Sequence, residues 1–222
     1  MRTGKYILSV VLITMAILAL GFFLWSGGTS SFSDDSFCIV EGGWSRGADD
    51  APVTIEVFSN FGCGSCVEHQ SVLLEVMGVH QGYVRMVYHH LAFSDYSRVV
   101  AQGLEAAGEQ GKFWEMHDKL VEHRPSYDGC VEELGACAAE LGLDVDRFNQ
   151  ALASGRFAPR VDIEKEMAKE AGIAAAAVFI NGEKIDIYPF TLESLCLIIE
   201  EKLQELGITG GSCQCQPAES SG

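Results

Sequence analysis

Phe61-Gly62-Cys63-Gly64-Ser65-Cys66 decides how the rest of the chain is read. The stretch before it, Val53-Thr54-Ile55-Glu56-Val57-Phe58-Ser59, is β-branched and apolar enough for a buried strand. After it, from Val67 to about Met77, Val67, Leu73, Leu74 and Met77 fall at the spacings of a helix packed on a sheet. A pair of cysteines therefore stands where a strand turns into a helix. At a helix start, unpaired backbone N–H groups and the helix dipole favour a thiolate. This makes Cys63 the expected exposed nucleophile. Cys66, one helical turn further in, is placed to resolve a mixed disulfide. A structural disulfide or half of a zinc site uses the same C-x-x-C spacing. The order strand, C-x-x-C, helix points to dithiol redox chemistry instead.

Outward from this centre, Val84-Arg85-Met86-Val87-Tyr88-His89 reads as a second strand, parallel to the first through the connecting helix. Residues from Cys38 to Trp44 add a short leading strand. From Asp95 to Ala171 the apolar spacing becomes helical, with breaks at Gly111, Pro125–Gly129, Gly142 and Gly155. Four or five short helices are expected there, too many for one crossover, so this is an inserted helical subdomain. Val178-Phe179-Ile180, an Asn181-Gly182 turn and Ile185-Asp186-Ile187-Tyr188 predict a β-hairpin. Thr191 caps a last helix that Gly207 stops near Leu206.

Three stretches add a resemblance. Ala51-Pro52-Val53-Thr54-Ile55 leading to Phe58-Ser59-Asn60-Phe61 resembles the entry strand of DsbA-like thiol–disulfide oxidoreductases. Gly108-Glu109-Gln110-Gly111-Lys112-Phe113-Trp114-Glu115-Met116-His117-Asp118 resembles the signature of their inserted helical domain, and Val178-Phe179-Ile180-Asn181-Gly182-Glu183 their late strand and turn. The likeness runs from about Gly47 to Gly207 in family order. It implies an α/β, thioredoxin-like fold with a helical insertion, dithiol–disulfide exchange with protein substrates outside the cytoplasm, no cofactor, and a membrane redox protein as the recycling partner.

The chain departs from that family at two places. The family usually sets a cis Pro before the late strand, facing the cysteines; here that place falls to Ala176. A cis bond costs ~2.5–4 kcal/mol before a residue other than Pro, so a trans or rearranged loop is expected. The family also often buries an acid six residues before the first cysteine, where this chain has Val57. Glu56 should point to the other face of the strand. Two roles are open to it: acting through a water, or sitting as a charge at a strand edge or rim. Gly64 and Ser65 between the cysteines give a flexible turn and at most a hydroxyl donor.

Acidic residues outnumber basic ones by 31 to 15, for a net charge of −16. Nucleic-acid binding needs the opposite sign and is excluded as an expectation. Residues Tyr6 to Trp25 form an uncharged apolar run behind Arg2 and Lys5. Such a run is long enough to span ~30 Å of hydrocarbon, with the basic end in the cytoplasm. A cleaved signal is the competing reading, but the bulky Gly21-Phe22-Phe23-Leu24-Trp25 end favours an uncleaved anchor. The expected organisation is an anchor or signal over 1–26, a linker with the leading strand over 27–47, and a domain over 48–208 with its helical insertion at about 95–171. A polar tail follows over 209–222. The expected place is a single-pass position in the cytoplasmic membrane with the catalytic domain on the periplasmic side.

Eight cysteines also suit an exported, disulfide-using protein. Beyond Cys63 and Cys66 there remain Cys38, Cys130, Cys137, Cys196, Cys213 and Cys215, whose pairing spacing does not fix. Cys130 and Cys137 can bond only if Cys130 precedes the helix, since two helical turns separate them by ~10.5 Å. Cys196 reads as a buried thiol. No metal site is assigned; a four-thiolate site of Cys63, Cys66, Cys213 and Cys215 is the weaker alternative. Of His89-His90, one is expected to point away from the core, and His117, Phe113 and Trp114 are expected to pack within the insertion.

Overall fold

Alternation along the strand before Asn60 sends Val53, Ile55 and Val57 to one side and Glu56 and Phe58 to the other. With apolar residues on both sides, such a strand belongs in the middle of a covered sheet. The computed structural model describes residues 43–208 apart from 124, 126–129 and 187. Its strands are β1 (Trp44–Arg46), β2 (Val53–Ser59), β3 (Val84–His90), β4 (Ala177–Ile180) and β5 (Glu183–Lys184). They form one sheet in the order β1-β3-β2-β4-β5, with β2 in the centre. β2 and β3 run parallel, pairing Val53 with Val84 through Ser59 with His90; the other pairs are antiparallel.

Seven helices are described: α1 (Gly64–Val79), α2 (Asp95–Gly108), α3 (Phe113–Glu122), α4 (Cys130–Glu140), α5 (Val145–Ser154), α6 (Ala158–Glu170) and α7 (Leu192–Glu205). One sheet face, carrying Val53, Ile55, Val57, Val84, Met86, Tyr88, Val178 and Ile180, packs on Val67, Leu73 and Val76 of α1 and Leu195, Ile199 and Leu203 of α7. The opposite face gathers Phe58, Leu91, Phe179 and Ile173 against Ala168 of α6. The fold is thus α/β and thioredoxin-like, with five helices, α2 to α6, inserted between β3 and β4.

The short edge strand β1 ties the sheet to that insertion. The Trp44 ring stacks on Phe113 at 4.4 Å, and its indole N–H donates to Glu105 of α2 at 2.7 Å. A Cβ at Gly108 would meet the Trp44 ring at 2.4 Å, so glycine is what lets this contact close. Arg46 grips Asp118 at 2.8 Å and lies over the Trp114 ring, whose N–H donates to Ser45. Ser94 and Thr191 each close a capping box at the starts of α2 and α7.

Several expectations are corrected. The hairpin strand is Glu183–Lys184, and Ile185, Asp186 and Tyr188, expected in it, lie outside it, while Ile187 is not among the described residues: the two-residue turn pairs Ile180 with Glu183 and Phe179 with Lys184. Past it, the Ile185 N–H donates to the Val178 carbonyl. His89 and His90 are both buried, because β3 is covered on both faces. Glu56 is 1 % exposed at mid-sheet rather than at an edge or rim. Cys130 is the first residue of α4, so it and Cys137 are free thiols on one helix. Cys196 is buried and disulfide-bonded rather than a thiol. The N-terminal apolar run, residues 27–42 of the linker, and the tail lie outside the described residues; no described helix is long and apolar enough to cross a membrane.

Candidate active site

The turn out of β2 is built by Asn60. Its side-chain oxygen accepts from the Gly62 N–H at 2.8 Å, and its carbonyl accepts from the Cys63 N–H at 3.0 Å. A Cβ at Gly62 would come within 3.0 Å of that side chain and 3.2 Å of the Ser94 hydroxyl, so the small residue fits the turn. Cys63 is the N-cap residue of α1, in extended conformation. Its sulfur accepts from the Cys66 N–H at 3.4 Å and lies 3.3 Å from the Ser65 hydroxyl. Two donors therefore face that sulfur, which favours negative charge on it.

Cys63 and Cys66 are joined in a disulfide with their Cα atoms 5.3 Å apart. Cys63 is partly exposed and Cys66 is 7 % exposed. The asymmetry follows from the helix: Cys63 stands at its mouth and Cys66 faces the sheet one turn in. Gly64 and Ser65 are exposed between them.

Beside Cys66 lies a cleft of about 180 Å³ whose walls include Ser59, His69, Gln70, Ala176 and Phe190. The His69 ring stacks on Phe190 at 4.2 Å. Ala176 is exposed, precedes β4, and is preceded by a trans peptide bond. It lines the same cleft as Cys66, in the sequence position the resemblance gives to Pro. Glu56 is brought to no part of this site. It lies on the opposite sheet face, and neither carboxylate oxygen has a hydrogen-bond partner. Burial pushes its carboxyl above the usual range.

A chain of buried polar groups that the sequence reading did not assemble runs from the cleft into the insertion. Gln70, one turn after Cys66, bonds the Ser59 hydroxyl at 2.8 Å and the His117 imidazole on its other side. His117 bonds Asp118 at 3.0 Å, and Asp118 bonds Arg46 at 2.8 and 3.0 Å. Burial lowers the His117 pKa, against the pull of Asp118. Asp118 stays below its usual range although burial opposes it, because His117 and Arg46 both bond it. The available signal was a glutamine four residues after Cys66, at an inward helical position where an apolar residue is the rule. His117 does not merely pack within the insertion; it reaches back to α1.

Among the described residues, no three His, Cys, Asp or Glu side chains cluster as metal ligands; Cys213 and Cys215 lie outside them.

A family model described as thioredoxin matches residues 40–201. The Na(+)/H(+) antiporter NhaA 3 of Salinispora tropica is 33 % identical over 153 residues, 68 % of this chain and 23 % of that one. The chain thus spans about a quarter of the length of such curated relatives. Disulfide bond formation protein D of Bacillus subtilis is 24 % identical over 151 residues, 63 % of this chain and 67 % of that protein. The crystal structure of oxidised BdbD from Bacillus subtilis superposes with a TM-score of 0.67 at 23 % identity, covering 77 % of this chain and 97 % of that one.

Proposed function

This chain belongs to the thioredoxin family, and we propose that it is a DsbA-like thiol–disulfide oxidoreductase acting on protein substrates outside the cytoplasm. The observation that carries the reading is the Cys63–Cys66 disulfide at the start of α1, with a partly exposed first cysteine, a buried second one and a cleft alongside. In the oxidising direction a substrate thiolate attacks Cys63, and the substrate's second thiol releases the mixed disulfide. In the reducing direction Cys63 attacks first and Cys66 resolves. Neither direction asks for a metal or organic cofactor.

The apolar run from Tyr6 to Trp25 and the cysteine content support a membrane-anchored protein with this domain on the periplasmic side. Relatives in which such a domain is about a quarter of a longer antiporter chain support a working place beside a membrane. A membrane redox protein would reset the dithiol state. Ala176 in place of Pro favours one alternative, a thioredoxin-fold protein- or metal-binding module with weak turnover.

The test is exchange in both directions: oxidation of a reduced protein of known disulfides, and reduction of insulin. Turnover in at least one, lost in Cys63→Ser, is the expected result. No turnover in either direction leaves the binding module as the reading.

A further inference from the structure

When a thiolate attacks Cys63, the Cys63–Cys66 bond breaks and its electron pair stays on the Cys66 sulfur. That sulfur is buried, and the strand position from which the family's acid would serve it holds Val57. Ser59 and Gln70 share the cleft with it. We propose that His117, acting through Gln70 and Ser59, couples its own proton to the charge on Cys66. The inference rests on the exchange reaction proposed above.

Donor and acceptor counting gives the coupling. Asp118 is held as a carboxylate by Arg46, so the His117 Nδ1 carries a hydrogen and donates to it. With Nε2 protonated as well, Nε2–H donates to the Gln70 carbonyl, and the Gln70 amide donates to the Ser59 oxygen. The Ser59 hydrogen is then left to point into the cleft, toward a Cys66 thiolate. With Nε2 bare, the Gln70 amide must turn over and donate to it, and the Gln70 carbonyl accepts the Ser59 hydrogen instead. Ser59 then offers the cleft only a lone pair, which suits a Cys66 thiol or disulfide. One arrangement holds imidazolium and thiolate, the other imidazole and thiol. The proton count is the same in both, and Gln70 is the part that turns.

The charged and titratable groups around this unit are few. Asp118 on its own helix, Arg46 from β1, and His90 and Tyr88 from β3 surround His117. His69 on α1 and Lys184 and Asp186 beyond the hairpin turn line the cleft at Cys66. Tyr88 lies behind Ser59, its hydroxyl making no well-formed hydrogen bond. Arg46 and His90 act against a proton on His117, and Asp118 for it, in either redox state. The quantity that changes with redox state is Cys66.

The experiment is a pH titration of the histidine ring signals by NMR in the full chain, once as the disulfide and once as the dithiol, with His117→Asn to assign the resonance. Coupling is reciprocal, so over the pH range in which Cys66 of the dithiol protein ionises, followed in the same samples by thiolate absorbance, His117 should bind its proton at least about fivefold more tightly than in the disulfide, the low end of such couplings. Ser59→Ala should remove the difference and Ser59→Thr, which keeps the hydroxyl, should restore it. Gln70→Leu should remove it too; if that variant fails to fold, the Ser59 pair still decides. Identical His117 protonation in the two redox states across the range in which Cys66 ionises overturns the coupling. A purely structural bond would weaken the fold of Ser59→Ala without any redox-dependent shift to lose. Since no turnover enters the readout, a positive titration with no exchange would sink the proposed function alone, and exchange without the shift would sink only this inference.

Discussion

Two sets of buried polar groups on opposite faces of one sheet are treated in opposite ways. On the α1 side, Ser59, Gln70, His117 and Asp118 satisfy one another and end at the half-exposed Arg46. On the α6 side, Glu56 and His89 are equally buried, and neither carboxylate nor imidazole has a partner. The His89 ring stacks on Phe58 at 4.6 Å. A bonded chain costs little and orients its members; orphaned groups cost the full desolvation of their polar atoms, ~1–3 kcal/mol each and more if charged. The face with the satisfied chain is the face with the cysteines. Burial alone therefore does not mark the site, and connection alone does not either, since Glu105 joins Trp44, His90 and Arg160 away from the cysteines; the chain beside Cys66 is the one that opens on the cleft.

The largest expected effect tests whether chemistry lives on the α1 side at all. Cys63→Ser should abolish exchange, whereas Cys66→Ser should accumulate mixed disulfides with substrates, seen on non-reducing gels and by mass spectrometry. Trapping by the first variant and not the second would reverse the roles of the two sulfurs.

The α6 side should respond through stability. Burial lowers the His89 pKa to about 4, with His90 adding to the effect, from an ordinary value of 6.5. Between those values the unfolded chain binds the extra proton and the native one does not, so stability falls as pH drops from 6.5 toward 4. The loss is on the order of 3 kcal/mol at about 1.4 kcal/mol per pH unit. His89→Leu should flatten that slope in urea titrations across the window. An unchanged slope would place the acid sensitivity elsewhere.

Glu56 works with the opposite sign. Its carboxyl is raised above 4.5, so the native state holds a proton the unfolded chain has lost, and stability declines as pH rises from there. Glu56→Leu should stabilise the protein at pH 7 by about 1–3 kcal/mol, as expected for removing an unpaired buried polar group. A destabilised variant would mean that the carboxyl has a partner in solution, and the contrast between the faces would narrow.

The smallest effect expected is at the rim of the cleft. Ala176→Pro should raise the exchange rate severalfold, since it restores the residue the family sets opposite the disulfide. A folded variant with an unchanged or lower rate would show that this loop does not limit exchange.

Much of this was legible along the chain. Val53 to Ser59, the C-x-x-C and the helix after it form by local rules: alternation for the strand, a side chain of Asn60 to shape the turn, exposed N–H groups at the helix start. The helical insertion announced itself through apolar spacing and glycine breaks, and Cys63 and Cys66 through their order after a strand. Tertiary structure alone decided the rest. Glu56 and Val57 are neighbours whose side chains go to opposite faces, and which face is the site depends on where α1 packs. One of His89 and His90 is expected to point away from the core, but a strand covered on both sides buries both. The chain from Ser59 through Gln70 to His117 joins residues 11 and 47 positions apart. No sequence spacing specifies such a contact, because it exists only when α3, through Phe113, Met116 and Leu120, packs into one core with α1 and the sheet.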